Sequence, residues 1–406
     1  MYDGKCIYKY FTFLQNFVSL LLNTLFTIIS CWLFGVIIYQ MNEVFVLGDK
    51  RALKNDRDVT FSVFGNLKGV RRKTFQEMLS KKGVIASNVP VFITFPYSFW
   101  YESVEKKNVM YGVSEFGKSI KQLTDNLAEL IEEKFPNAVY VNHPSSMFVE
   151  RDKLGTKNLL KTEGIKVPDD IDKSVEAVVN EVYSGNPVYI KVRYGSMGKG
   201  ISYLSQKKWT TNFNYDGKTI RNHSHDKDWK EIDITHDLYF LEQILEEDVV
   251  VEKAIINSVT NGFKFDMRAR SIFGSCNPSF AYGRATSTQS ITNVSQGAER
   301  ISLQQVSEFV PKEKITEALN LINRSAGVLG LNYAGGDVLF QGDNFDPVIL
   351  ELNSFPGAYM AESVLPNLYK AINKNFLGKE EVLNEVSYNI PPFQVPEGIV
   401  GAFLGL

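Results

Sequence analysis

A glycine-rich segment, Gly195-Ser-Met-Gly-Lys-Gly200, lies between two β-type runs, Pro187–Arg193 and Ile201–Leu204. Glycine loops of the P-loop or dinucleotide type leave a strand and open a helix, whose N-terminus receives phosphate. Here the chain turns back into a strand, and the Gly-x-x-x-x-Gly-Lys-Ser/Thr spacing is missing. Those folds are therefore excluded for this segment. A hairpin loop with three glycines and Lys199 can still close its backbone N–H groups over an anion. Lys191, in the strand before it, would reach the same space. Taken alone, such a hairpin is also what an ordinary glycine-rich turn with an exposed lysine looks like.

The surrounding pattern is mixed. Val44–Leu47, Val59–Phe64, Val89–Thr94 and Val139–Val141 read as strands. Lys68–Lys82 and Ser119–Lys134 read as helices, the second with Ile120, Leu123, Leu127, Leu130 and Ile131 at helical spacing. This predicts a small α/β domain over residues 41–145. A larger unit follows over 146–370. It holds helices at Leu154–Glu163, Lys173–Tyr183, Ile234–Glu247 and Ile315–Ala326, and strands at Asp248–Ile256 and Phe263–Phe273. The polar stretch Asn212–Asp233 reads as loop, and 371–406 as a C-terminal tail. The fold class expected is α/β with α+β character.

From Phe11 to Asn42 there is no charged residue, and Phe13–Ile38 is dense in Phe, Leu, Ile and Val. About 20 apolar residues span a bilayer as a helix. Residues 1–40 are therefore expected to form a hydrophobic transmembrane helix. A cleaved signal peptide fits poorly, because the run is long and lacks a small-residue cleavage site. Lys5 and Lys9 precede the run, while Lys50, Arg51, Lys54 and Arg57 follow it. That asymmetry places the main body in the cytoplasm. The alternative is translation from Met41, giving a cytoplasmic protein that opens on a β-strand. A formal net charge of −2, with no basic stripe interleaved with aromatics, argues against a nucleic-acid partner. Three cysteines, Cys6, Cys31 and Cys276, form neither a disulfide framework nor a metal spacing.

The segment Gly335–Asn353 carries carboxylates on both arms of a hairpin. With the turn centred on Asn344, Gln341 pairs with Pro347 and Asp337 faces Glu351. Asn353 then shares that face. Opposed carboxylates repel unless a cation sits between them. Asp337, Glu351 and Asn353 form an all-oxygen set suited to Mg2+ that keeps waters and carries phosphates. A solvated hairpin face with unrelated acids is the other reading. Upstream, Asp266, Arg268 and Arg270 alternate along one strand, so they share a face that is either solvated or lining a site.

Taken in order, the chain presents Lys153, Lys191 with the glycine hairpin, a hydrophobic strand ending in Glu252, Asp266-x-Arg268, Arg284, Asn293, Asp337 and Glu351-x-Asn353. This ordered set resembles the ATP-grasp superfamily over residues 140–365. It is most similar to the branch with glutathione synthetase, the ribosomal-protein glutamate ligases and related spore-coat proteins. The resemblance implies an ATP-grasp fold after a small α/β domain, with ATP and one or two Mg2+ ions as cofactors. Lys153 and Lys191 would contact the α- and β-phosphates. Gly195, Ser196, Gly198, Lys199 and Gly200 would form the flap over the triphosphate. Glu252, Lys253, Ala254 and Ile255 would meet the adenine edge through their backbone. Asp337, Glu351 and Asn353 would hold Mg2+. Arg268 and Arg284 would face the transferred phosphoryl group, and Asn293 would position the intermediate or the metal.

The activity implied is an ATP- and Mg2+-dependent carboxylate–amine ligase working through an acyl-phosphate. It would join an amino acid or peptide to a carboxylate substrate. Such chemistry needs positioning and charge neutralisation, and no Ser, Cys or His nucleophile. Two alternatives stand beside it: a small-molecule kinase on the same fold, and a membrane-anchored nucleotide-binding protein without ligase activity. The stretch from Leu204 to Val249 is longer and more polar than the minimal family pattern.

Overall fold

The computed structural model describes residues 43–49, 69–105, 109–225, 228–256, 263–287, 290–356, 361–372 and 374. The expected N-terminal helix over 1–40, the strand Val59–Phe64 and nearly all of the tail lie outside these residues. Among the described residues, no helix is long and apolar enough to cross a membrane.

Three larger sheets organise the described residues. The first is parallel: β1 (Val44–Gly48) lies between β2 (Val70–Thr74) and β3 (Pro90–Ile93), and β4 (Val139–Val141) extends it beyond β3. Helix α1 (Phe75–Ser80) follows β2 directly. The long helix α2 (Ser114–Lys134) buries Ile120, Leu123, Leu127 and Ile131. The predicted helix Lys68–Lys82 is thus wrong over its first half. Val70–Thr74 is an edge strand whose Arg71 and Arg72 are exposed, and charge on an open edge blocks further pairing. The helix starts only at Thr74, whose Oγ1 accepts from the Glu77 N–H while the Glu77 carboxylate accepts from the Thr74 N–H.

Helices α3 (Pro144–Arg151) and α4 (Lys153–Thr162) lead into the second sheet. The Pro144–Arg151 helix was not expected; His143 caps it and Pro144 takes its first turn. The second sheet is antiparallel. Its strands are β5 (Val188–Val192), β6 (Ile201–Leu204), β7 (Trp209–Thr211), β8 (Ile232–Asp233) and β9 (Val249–Lys253), in the order β8-β7-β6-β5-β9. Helices α5 (Val175–Tyr183) and α6 (Leu238–Glu246) bury Val178, Val182, Leu241 and Ile244 against it. The stretch expected as loop, Asn212–Asp233, contributes β8 and a small hairpin, Asn214–Tyr215 with Ile220–Arg221.

The third sheet is antiparallel as well. It contains β10 (Lys264–Ile272), β11 (Tyr282–Thr286), β12 (Glu299–Ser302), β13 (Tyr333–Gln341) and β14 (Asp346–Asn353), in the order β12-β11-β10-β13-β14. Helix α7 (Lys312–Val328) buries Ile315, Ala318, Leu319 and Ile322 beneath it. Gly336 permits that approach, because a Cβ there would meet the Ile322 side chain at 2.7 Å. Helix α8 (Ala361–Ile372) runs one residue past the expected start of the tail at 371. It joins β1, β3 and β4 to the third sheet through Val44, Val46, Phe92, Val141, Ile272, Tyr333, Leu365 and Leu368.

Candidate nucleotide and metal site

The second and third sheets face each other across an open cleft. One wall comes from β5, β6 and β9, the other from β10, β11, β13 and β14. Lys153, Lys191, Glu252, Lys253, Ile255, Arg284, Asn293, Asp337 and Glu351 all reach it, as do Gly195, Ser196, Gly198 and Lys199. Gly200, Ala254, Arg268 and Asn353 do not line it; Arg268 and Asn353 touch it through Asp337 and Glu351.

The glycine hairpin roofs one end. Gly198 has φ +71°, and a Cβ there would press on Asn293, Gln296 and Ile291 at 3.2–3.3 Å. Glycine therefore lets the flap lie down on the opposite lobe. The Tyr111 hydroxyl accepts from the Ser196 N–H at 2.9 Å, and Lys199 lies 5.5 Å from the Tyr111 ring centre and 5.8 Å from that of Trp229. Lys153, at the first turn of α4, donates its Nζ to the Gly195 carbonyl, and its backbone N–H to the Arg193 carbonyl at 3.1 Å. Burial lowers the Lys153 pKa.

Lys191 points inward from β5 and pairs with Glu252. Burial alone would lower its pKa, but Glu252 outweighs that and raises it. Glu252 is buried too, and it also binds Lys157 at 3.2 Å. The adenine assignment to Glu252–Ile255 needs revision in detail. The Lys253 N–H already donates to the Asp169 carbonyl and the Ala254 N–H to the Pro187 carbonyl, at 2.9 and 2.8 Å. The Ile255 amide is the donor in this segment that those bonds leave for a base edge. Leu160, Val167, Ile201 and Val250 line the apolar part of the cleft beside it.

The opposite wall carries a ladder of alternating charge. Register sets Arg284 opposite Asp266, Arg268 opposite Asp337, and Asp337 opposite Glu351. Arg284 binds Asp266 through Nε and Nη2 at 2.7 and 2.5 Å, and its Nη2 also reaches Asp337 at 2.8 Å. Arg268 grips Asp337 at 2.5 and 2.6 Å and lies 3.9 Å from Glu351. Asn353 donates its Nδ2 to Glu351 at 3.3 Å. Burial would raise the Asp337 pKa, yet the Arg268 and Arg284 guanidiniums bring it down to about 2. Asp266 goes the other way: burial outweighs its Arg284 pair and raises it. Of the three ionic groups predicted on one strand face, none is solvated. Arg270, fully buried, donates to the Pro356 carbonyl at 3.3 Å, away from the cleft.

The predicted register of the acidic hairpin is off by one at its turn. Gln341 pairs with Asp346, not with Pro347. Leu350 is an extra, bulged residue on β14 opposite the Asp337–Val338 step of β13, and it restores the pairing of Asp337 with Glu351. The bulge sets Leu350 and Glu351 both on the cleft wall.

Asp337 and Glu351 line one edge of the cleft, Asn353 adds an amide oxygen beside Glu351, and Asp337 stays ionised. That chemistry fits Mg2+. Among the described residues no group of three or more His, Cys, Asp or Glu is disposed to hold a metal ion, so the amide of Asn353 is needed to complete the set.

The sequence reading missed three residues. Lys157 lies one helical turn beyond Lys153, a spacing that puts both on one face. Lys264 shares its strand face with Asp266 by the period of two. Tyr111 carries no sequence signal, since it reaches the flap from a loop 85 residues away.

Two antiparallel sheets closing on a lysine- and arginine-lined cleft beneath a glycine hairpin are the arrangement that the resemblance to the ATP-grasp superfamily implies. Residues 156–330 match the family described as YheC/D like ATP-grasp. Solved structures similar to the chain include the ATP-grasp ligase PsnB complexed with minimal precursor, at 16% identity and TM-score 0.46, covering 82% of this chain and 99% of that chain. The D-alanine–D-alanine ligase from Bacillus anthracis complexed with ATP is 15% identical with TM-score 0.47, covering 83% and 97%. A Chryseobacterium gregarium RiPP-associated ATP-grasp ligase in complex with ADP and a leader and core peptide is 12% identical with TM-score 0.49, covering 84% and 98%. No curated protein matches the chain in sequence.

Proposed function

We propose that the chain is an ATP- and Mg2+-dependent carboxylate–amine ligase that activates a carboxylate as its acyl-phosphate and joins it to an amino acid or peptide. The observation that carries this reading is the facing of Lys153 and Lys191, on one lobe, against the Arg284–Asp266–Arg268–Asp337–Glu351 ladder on the other. Transfer of phosphate to a carboxylate brings anions together, and clustered fixed cations lower that barrier. In this reading Lys153 and Lys191 hold the phosphates, and Lys191 exchanges its Glu252 partner for them. Ile255 meets the base edge. Arg284 neutralises the oxygens of the transferred group, with Arg268 acting through the Asp337 it grips, and Asn293 holds the flap side of the same space. The flap keeps water from the activated carboxylate. Asp337, Glu351 and Asn353 would hold Mg2+, which supplies a hard Lewis acid for phosphate oxygens.

The purified full chain should release ADP and phosphate only when a matching carboxylate and amine are both present. Glu351→Gln should cut turnover by at least ~100-fold. Unchanged turnover in that variant sinks the metal assignment. ADP release with a stable phosphorylated product and no free phosphate points to a kinase instead. The uncharged run Phe11–Asn42 and the basic residues after it support a membrane-anchored protein whose ligase body is cytoplasmic.

A further inference from the structure

Lys264 opens β10 and lines the cleft, yet the ligase chemistry above gives it no task. Its Nζ donates to the Tyr189 hydroxyl and, at 2.6 Å, to the Ser290 carbonyl. It also lies 4.5 Å from the centre of the Tyr189 ring, with the Lys191 ammonium 5.3 Å from the same centre. Two ammonium groups therefore share one aromatic ring. Their partners differ. Lys191 is neutralised by Glu252, whereas Lys264 makes no ion pair with a carboxylate among the described residues.

The charged and titratable groups around it are Lys191 and Tyr189 on β5, Glu252 on β9, Asp266 on its own strand, and Glu231 before β8. Glu231 is occupied by the Ser290 N–H, at 2.8 Å, and by the Ser290 hydroxyl. Burial, reinforced by the charge of Lys191, lowers the Lys264 pKa to about 8. Ammonium groups drawn partly out of water, as half-buried Lys264 is, are ordinarily paired. One held only by neutral oxygens, beside a second lysine on a cleft wall, is built to receive an anion.

Its place along the cleft says which anion. On β5, Tyr189 pairs with Glu252, and Lys191 lies two residues nearer the flap. Lys264 over Tyr189 thus stands between the base-binding end at Ile255 and the phosphate-binding end at Gly195. We propose that Lys264 is a third lysine of the nucleotide site, leaving the Ser290 carbonyl to bind the innermost phosphate as an ammonium. This rests on the nucleotide reading above. The proton it needs is taken from solvent, and no covalent bond changes.

Calorimetric titration of the full chain with ADP, AMP and adenosine at pH 8, in two buffers of different ionisation enthalpy, tests it. Wild type should bind ADP and AMP with uptake of a fraction of a proton, and adenosine with none. Lys264→Met should weaken ADP and AMP at least ~10-fold, spare adenosine and reduce the uptake. Lys264→Arg, permanently charged, should keep ADP affinity within a few-fold and show the same reduced uptake. The proposal is overturned if Lys264→Met binds ADP as wild type does, if adenosine and ADP weaken alike, or if proton uptake is unchanged in both variants. A wild-type chain that binds no nucleotide defeats the broader reading and this one with it. Normal ADP binding that is indifferent to Lys264 defeats this one alone.

Discussion

Glu150 and Asp337 line the same cleft and are both buried, yet their carboxyl groups are driven in opposite directions. Burial raises Glu150 to about 7, with Arg151 and the Ser354 N–H only partly offsetting it. Those contacts are one Arg151 bond at 3.1 Å and one N–H at 2.7 Å. Asp337 has a bidentate guanidinium and a second one beside it, and ends near 2. The number of fixed cations decides the outcome, since burial opposes ionisation in both. A carboxyl whose folded pKa exceeds its unfolded value near 4.5 stabilises the fold fully below pH 4.5. It loses that contribution as pH rises through about 7. The interval is worth about 3 kcal/mol. Glu150→Gln should therefore gain on wild type as pH climbs from 4.5 to 8, by up to about 3 kcal/mol in urea unfolding. A pH-independent difference between the two proteins would show that Glu150 does not titrate in this way.

At the scale of single elements, the β13–β14 bulge matters most to the site. Were Leu350 paired and not bulged, the register Gln341–Asp346 would carry down the hairpin, set Leu350 opposite Asp337 and turn Glu351 to the other face. Deleting Leu350 should remove the bulge and keep Glu351 opposite Asp337, whereas inserting an alanine beside Leu350 should leave the turn paired but carry Glu351 and Asn353 out of step with Asp337. Affinity for Mg2+ with ADP should drop at least ~10-fold in the insertion variant, while Leu350→Ala keeps the register and most of the affinity. Equal binding by the insertion and the alanine variant would contradict the register given to the metal-site hairpin. The same element marks the limit of sequence reading. Period-two alternation brought Asp337 opposite Glu351 through a turn that does not form, because no glycine or proline at 348–350 announces the bulge. The flap was legible, since Gly195–Gly200 had to join two strands. The edge strand Val70–Thr74 was not, since Val-Arg-Arg-Lys-Thr lacks an apolar alternation and borrowed the helical pattern of Phe75 and Met78. Lys264 went unassigned because its partners, Tyr189 and the Ser290 carbonyl, come from other strands and loops, and only packing brings them together.

Across the whole molecule, the parallel sheet is a brace for the metal-site hairpin. Asn142, just past β4 and nearly buried, donates Nδ2 to the Tyr333 carbonyl at 2.7 Å and to the Ser354 carbonyl at 3.3 Å. Its Oδ1 accepts from the Tyr333 N–H at 2.9 Å. Tyr333 begins β13 and Ser354 follows the end of β14, so one amide ties together both ends of the hairpin that carries Asp337 and Glu351. The apolar cluster through Val141, Tyr333 and Leu365 covers this junction and excludes competing water. Truncation would leave the Tyr333 N–H and carbonyl buried without their partner, and each such loss costs about 1–3 kcal/mol. Asn142→Ala should therefore lose about 2–4 kcal/mol in urea unfolding. The effect should extend to the site. Saturating a folded protein at 100 times its Kd adds about 2.7 kcal/mol of stability. With the hairpin ends untied, the same concentration of Mg2+ and ADP should raise Tm less in Asn142→Ala than in wild type. Lower stability with an undiminished ligand-induced shift would make Asn142 a fastener between domains with no hold on the site. A variant as stable as wild type would remove the brace altogether.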